Sequence, residues 1–339
     1  MDEARGRTNL KLIAWGAVIG LAYGLTIRFG SRIFSNSTVF GVMALGFMVF
    51  LPLGMGLVTV FVVERRRVQP TWIWLLLPWV PVLAGEATTM LANLEGFICV
   101  VMFTPIALAA SSLGGVAGGL IARHGSGRSR NTSVVCVLFL PLVVSSLEPQ
   151  FLRQREVRVV ETTMDVHATP EVVWRNIERV PRISPTELRP SWSRRIGFPS
   201  PVEATLSFAG IGGVRHASFE RGVLFVEIID VWEPEHRLGF SIHAQTDQIP
   251  PTTLDDHVTV GGKYFDVLHG EYRLEPLSNG VTRLHLSSQH RVSTDFNWYA
   301  HLWTDAVMAD LQKTILLVVR KRCESAAELS ETGSHKGGS

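Results

Sequence analysis

The stretch VRVVETTMDVHATPEVVW, residues 157–174, joins a strand pattern directly to the start of a helix. Its first ten residues alternate, with the more apolar face at Val160, Thr162, Met164 and Val166. A helix should follow, because Thr169 can act as N-cap and Pro170 fits the first helical position. The stretch therefore predicts the strand and helix that open an α+β domain.

Short runs separated by turn residues follow this stretch and predict about six antiparallel strands. The runs are residues 202–208, 214–220, 223–232, 238–244, 263–274 and 281–289. From Phe296 to about Cys323 there is no glycine or proline, and apolar residues recur at three- and four-residue steps, which predicts a long amphipathic helix. A helix laid across the sheet would bury one of its faces, and a cavity opens if the sheet curls around the helix.

The N-terminal half has a different composition. Only 18% of the chain is charged, against about 25% in ordinary soluble domains, and few of the acidic residues precede residue 150. Uncharged runs cover residues 12–27, 33–63, 71–85, 96–122 and 132–147. Since a spanning helix needs about 20 apolar residues, these runs predict about five transmembrane spans. The last run is the shortest and contains Pro141. We expect a membrane region at 1–152, a soluble domain at 153–324 and a disordered tail at 325–339.

Basic residues predict the orientation. They precede the first span and follow the second and fourth spans. Because basic loops favour the cytoplasmic side, the N-terminus is expected on the cytoplasmic side of a plasma or inner membrane. Five spans would put the C-terminal domain outside, whereas four would leave it in the cytoplasm; we expect it outside. Glu86 and Glu95 are expected at span ends. Gly16, Gly20 and Gly24 form a small-residue stripe that favours packing within the chain, with homo-oligomerisation as the alternative.

Several function classes find no support in the sequence. The net charge of +2 gives no reason to expect nucleic-acid binding, and three cysteines cannot form a disulfide framework. The sequence has no HExxH, CxxC, GxSxG or P-loop motif. Its histidines lack metal-ligand spacing, so we predict neither a metal nor a cofactor.

The order of elements resembles the START-like helix-grip (SRPBCC) superfamily, which includes lipid-transfer domains and polyketide cyclases. The resemblance covers roughly residues 155–323. It rests on residues 168–174, 226–234, 237–240, 272–277 and 280–284, and on Trp303 in the last helix. It implies an internal apolar cavity for a lipid-like or aromatic ligand. It does not imply a reaction, because one fold supports many functions.

Strand alternation suggests which side chains face this cavity. On the run 263–274 the face that includes Tyr264 and Asp266 is predicted to point inward. The next strand would contribute its apolar face, and either Arg215 or His216 must point in. Together with the helix, the candidates are Glu227, Tyr264, Asp266, Leu268, Tyr272, Leu286, His290, Trp298, Leu302 and Asp305.

Three functional hypotheses follow. The favoured one is a membrane-anchored protein that holds or transfers a hydrophobic small molecule or lipid. The second is a ligand-sensing or assembly protein of the membrane. The third is a cyclase/dehydratase-type enzyme, which would need Asp266, His290 and Tyr264 in one pocket. Polar groups in a cavity ordinarily orient a ligand, so binding ranks above catalysis.

Overall fold

The chain forms two compact units in the computed structural model, which describes residues 2–33, 44–147, 155–245 and 260–336. One unit comprises Met1–Gln154 with Thr294–Phe296. The other comprises Arg155–Ser293 with Asn297–Ser339.

The first unit is built mainly of helices. Its helices are α1 (Asp2–Ile33), α2 (Leu51–Arg66), α3 (Thr71–Leu76), α4 (Trp79–Leu91), α5 (Phe97–His124) and α6 (Gly127–Leu147), and a π-helical turn at Gly46–Phe50 leads into α2.

Four helical segments among the described residues are long and apolar enough to cross a membrane: Asn9–Gly30, Gly46–Arg66, Thr71–Leu91 and Phe97–His124. The fifth predicted span, in α6, is a shorter apolar segment, Asn131–Ser145, because the arginines at the start of that helix limit its uncharged length. The count of five is therefore not confirmed. Part of the second predicted span, residues 34–43, lies outside the described residues.

The glycine stripe of α1 lies against α2 of the same chain. A Cβ at Gly20 would lie 2.0 Å from Thr59 Oγ1, and one at Gly16 would lie 2.4 Å from Val63 Cγ2. Only glycine permits this approach. The contact is the one expected from packing within the chain. Dimerisation through the same face would require α2 to leave it, so we do not propose it.

Two acidic side chains among the described residues of this unit form ion pairs. Glu64 accepts hydrogen bonds from Arg123 Nε at 2.7 Å and from Trp74 Nε1 at 3.0 Å, which ties α2, α3 and α5 together. Glu95 pairs with Arg28 at 2.6 Å. Glu86 is buried within α4 rather than exposed at a span end, because the helix continues past it to Leu91.

The second unit contains one seven-stranded antiparallel sheet, ordered β1-β7-β6-β5-β4-β3-β2. The elements are β1 (Glu156–Val166), α7 (Pro170–Glu178), α8 (Trp192–Arg195), β2 (Pro201–Leu206), β3 (Val214–Phe219), β4 (Leu224–Glu233), β5 (Arg237–Gln245), β6 (Phe265–Pro276), β7 (Thr282–Val292) and α9 (Asn297–Lys336). The sheet curls into a half-barrel, which fits the predicted helix-grip arrangement.

The core lies between this sheet and helices α7 and α9. Leu316, Val319 and Cys323 of α9 pack with Trp174 of α7 and with the inner face of the sheet. Helix α9 extends to Lys336 and so includes most of the segment that we predicted to be disordered. The disorder expected for residues 325–339 stays a prediction.

Candidate ligand cavity

A cavity of about 110 Å³ lies in the second unit, mainly between the sheet and α9. Apolar side chains form most of its wall. The sheet contributes Pro201, Glu203, Ala204, Arg215, Ala217, Ser218, Phe219, Phe225, Glu227, Phe240, Ile242, Val267, Gly270, Tyr272, Leu286 and Ser288; α9 contributes Met308, Leu311, Gln312 and Ile315; and Val180 and Ile183 come from the segment after α7.

A buried ion pair is the strongest polar feature of the wall. Arg215 of β3 and Glu227 of β4 face each other in the antiparallel register. The Arg215 Nη1 atom lies 2.5 Å from Glu227 Oε2, and the two side chains are only 4% and 8% exposed. Opposed positions on neighbouring strands place their side chains on the same face, so the register makes the pair.

Burial and charge act against each other in this pair. Burial raises the pKa of Glu227 above its usual range, and Arg215 opposes that rise. Burial also disfavours the charged form of Arg215, but Glu227 and Tyr272 together more than compensate, so the pKa of Arg215 is raised. The guanidinium therefore remains a cation in an apolar wall, 5.4 Å from the centre of the Phe240 ring.

One hydrogen-bond donor of this cation is free. Arg215 Nε is buried and has no hydrogen-bond partner among the described residues. A buried unpaired donor costs free energy that a suitable acceptor recovers. The wall therefore offers a binding position for an oxygen acceptor.

On the helix side, Gln312 is fully engaged with the protein. Its Nε2 donates to Val160 O at 2.9 Å and to Ser288 Oγ at 3.0 Å, and its Oε1 accepts from Thr162 Oγ1 at 2.7 Å. These bonds join α9 to β1 and β7. Gln312 thus positions the helix over the cavity.

Three of the predicted candidates line this cavity: Glu227, Tyr272 and Leu286. Tyr264, Asp266 and Leu268 are not among its described lining residues. A β-bulge between Val267 and His269 shifts the register of β6 against β7, so Val267 takes the inward position instead. On this strand the cavity lining therefore includes Tyr272 after the bulge and Val267, rather than Tyr264 or Asp266, before it.

His290 and Asp305 come together away from the cavity lining. His290 is fully buried, its Nε2 lies 3.3 Å from Asp305 Oδ1, and burial lowers its pKa. Asp305 also accepts from Arg158 at 2.7 Å. Trp298 and Leu302 are 63% and 65% exposed on α9. Whether any of the ten candidates contacts a ligand stays a prediction.

The sequence left part of the site unassigned. It required either Arg215 or His216 to point inward without choosing; the structure buries Arg215 and exposes His216. Gln312 was not among the candidates; an amide within the predicted amphipathic helix was the available signal. Within the described parts of the chain, no group of three or more histidine, cysteine, aspartate or glutamate side chains could hold a metal ion.

No family model matches the chain, and no curated protein matches it. Among solved structures, a START superfamily protein from Mycobacterium smegmatis is 10% identical over 50% of this chain and 98% of its own, with a TM-score of 0.33. A conserved protein from Geobacillus kaustophilus is 14% identical over 50% and 97%, with a TM-score of 0.32.

DynU16, a protein of the dynemicin biosynthetic locus, is 17% identical with a TM-score of 0.27. The match covers 46% of this chain and 45% of DynU16, so this chain spans less than half of that protein's length. At such low similarity, the description of the fold rests on the strand order and the position of α9.

Proposed function

We propose that the chain is a membrane-anchored binding protein whose C-terminal unit holds a hydrophobic small molecule, or one end of a lipid, in the cavity under α9. The observation that carries this proposal is the apolar cavity with the Arg215–Glu227 pair in its wall. Apolar walls with a few placed polar groups are typical of ligand pockets, in which the polar groups set orientation.

The volume limits the ligand. An engineered cavity of about 150 Å³ binds benzene, so a cavity of about 110 Å³ accommodates a group the size of one small ring or a short branched chain. A longer lipid would place one end inside and leave the rest outside. The free Arg215 Nε favours an end that carries a carbonyl, carboxylate or similar oxygen.

The membrane anchor rests on the four helical segments of sufficient length and apolarity. With the N-terminus in the cytoplasm, α6 decides the side of the C-terminal unit: outside if it spans, cytoplasmic if it does not. We retain the outside placement as part of the proposal. A membrane-impermeant thiol reagent applied to intact cells would test it, using Val159→Cys, since Val159 is 62% exposed. Labelling without permeabilisation supports the outside placement, and labelling only after permeabilisation contradicts it.

The residues required by the cyclase/dehydratase hypothesis do not line this cavity. It required Asp266, His290 and Tyr264 on one pocket, and none of the three lines the cavity described above. No observation in the described residues favours the sensing or assembly hypothesis over simple binding, so we propose binding alone.

The test is to purify the full-length protein in mild detergent and identify co-purifying small molecules by mass spectrometry. Ala217→Leu adds an isopropyl group inside the cavity, whereas His216→Leu changes the next residue on the solvent side. We expect one apolar, oxygen-containing compound at near-stoichiometric amounts in the unchanged protein and in His216→Leu, and its loss in Ala217→Leu. Equal amounts in all three proteins, or none in any, would contradict binding in this cavity.

A further inference from the structure

The loop between β2 and β3, residues 207–213, presents two large apolar side chains to solvent. Phe208 is 53% exposed and Ile211 is 69% exposed. Its sequence, SFAGIGG, contains no charged residue. Single exposed apolar residues are common on proteins, but two at the tip of one uncharged loop form a local apolar surface.

Hydrogen bonds close the base of this loop. Ser207 N donates to Val214 O at 2.9 Å, and Val214 N donates back to Ser207 Oγ at 2.9 Å. Gly212 N donates to Ile229 O at 2.8 Å, and Ile229 N donates to Gly213 O at 2.9 Å. These bonds fix both ends of the loop to the ends of β2 and β3 and to β4.

Glycines permit the shape of this loop. Gly210 and Gly212 have φ values of +131° and +82°, which other residues rarely adopt. A Cβ at Gly213 would lie 2.4 Å from Phe208 O.

The area of the tip separates the candidate occupants. A buried aromatic side chain covers about 150–250 Å², so Phe208 and Ile211 together offer at most about 400 Å². A specific protein–protein interface buries about 1,200 Å² or more. Shallow insertion of one or two apolar side chains into a bilayer has no such minimum area, and an uncharged tip suits the boundary between headgroups and acyl chains.

We propose that this β2–β3 loop inserts Phe208 and Ile211 into the surface of the lipid bilayer in which the chain is anchored. The inference rests on the membrane anchor of the proposed function. It adds a second membrane contact, made by the C-terminal unit itself.

The test uses the full-length protein in phosphatidylcholine nanodiscs, with Cys99 and Cys136 replaced by alanine. Bimane is attached at Ile211→Cys or, as a control, at Val159→Cys, which is equally exposed but lies on β1 at the other edge of the sheet. The quencher is phosphatidylcholine with a doxyl group near the headgroup. Side chains at the acyl boundary lie about 5–10 Å deep, so we expect about a twofold loss of emission at 211 and little at 159.

A second variant separates insertion from proximity. Phe208→Asp in the Ile211→Cys background places a charge at the tip and should remove most of the quenching, while unchanged burial of Cys323 shows that the unit is folded. Equal quenching at positions 211 and 159, or quenching unaffected by Phe208→Asp, would overturn the proposal. A shift in emission that is independent of doxyl lipid would indicate a protein contact and would also overturn it. A chain that does not enter nanodiscs at all would instead contradict the membrane anchor.

Discussion

Replacing Arg215 with methionine should destabilise the C-terminal unit strongly at pH 7 and only weakly at pH 5. The substitution keeps the volume roughly constant but leaves the Glu227 carboxylate, 8% exposed, without its ion-pair partner. Removing one partner of a buried pair costs about 3–5 kcal/mol. The carboxyl group can escape part of this cost by taking up a proton.

The cost of protonation sets the pH dependence. In the unfolded chain a glutamate has a pKa of about 4.3, so holding it protonated costs about 3.7 kcal/mol at pH 7 and about 1 kcal/mol at pH 5. Burial already raises the pKa of Glu227 in the folded protein. The folded variant is thus penalised once the pH exceeds the unfolded pKa, and its stability falls as the pH rises.

Cys323 provides the assay, because it lies in the core of the C-terminal unit and burial raises its pKa to about 12. With Cys99 and Cys136 replaced, its alkylation in the detergent-solubilised full chain reports opening of this unit alone. Every 1.4 kcal/mol is a tenfold change in opening, so Arg215→Met should speed alkylation about 500-fold at pH 7 and about 5-fold at pH 5. Each rate is divided by that of the original protein at the same pH.

The control is Arg195→Met, which removes an exposed arginine and should leave the rate within about twofold, as expected for a surface change. The double variant Arg215→Met/Glu227→Leu should regain most of the protection, since an apolar replacement of a buried pair is often neutral. A rate for Arg215→Met within threefold of the control, or an increase that is the same at both pH values, would refute the reasoning.

Two further predictions concern other parts of the chain. Gly20→Val should destabilise the helical unit by about 1–3 kcal/mol through overpacking against α2. The control Gly30→Val, at a position with no atom within 4 Å of the added Cβ, should be neutral. Thermal loss of the monodisperse peak in size-exclusion chromatography measures the stability of both variants, and equal losses would contradict the α1–α2 contact. Hydrogen bonding from Arg322 lowers the pKa of Glu187, so the stability from this pair is present above the unfolded pKa and is lost as the pH falls through the lowered value. Calorimetry from about pH 6 to about pH 3 should therefore show a smaller loss of stability on acidification in Arg322→Gln than in the original protein. An equal loss in both proteins would contradict this role of the pair.

The sequence predicted the order of elements well because local signals mark it. Turn residues separated the strands, and Pro170 marked the start of α7 at the position that the structure shows. On β1, alternation placed Val160 on the buried side and Val159 on the exposed side, as observed. These features depend on neighbouring residues only, so a single sequence contains them.

The site was harder to predict because it depends on pairing between strands. Alternation assumes an unbroken period of two, and the bulge between Val267 and His269 changes the face on which the preceding residues lie. The choice between Arg215 and His216 follows from the register that sets Arg215 opposite Glu227. A sequence without strand pairings cannot show either feature.

On the function that we propose, the Arg215–Glu227 pair serves ligand recognition rather than stability. Apolar residues of similar size often replace a buried ion pair without loss of stability, because two charges then need not be desolvated. A site built to hydrogen-bond a ligand oxygen rejects analogues that lack it by factors of about 10⁴ or more, since its own polar groups then stay unpaired. The free Arg215 Nε is such a group. In the double variant, restored stability together with lost ligand would separate the two roles. If the pair were purely structural, the double variant would keep both its stability and its ligand once the core is repacked.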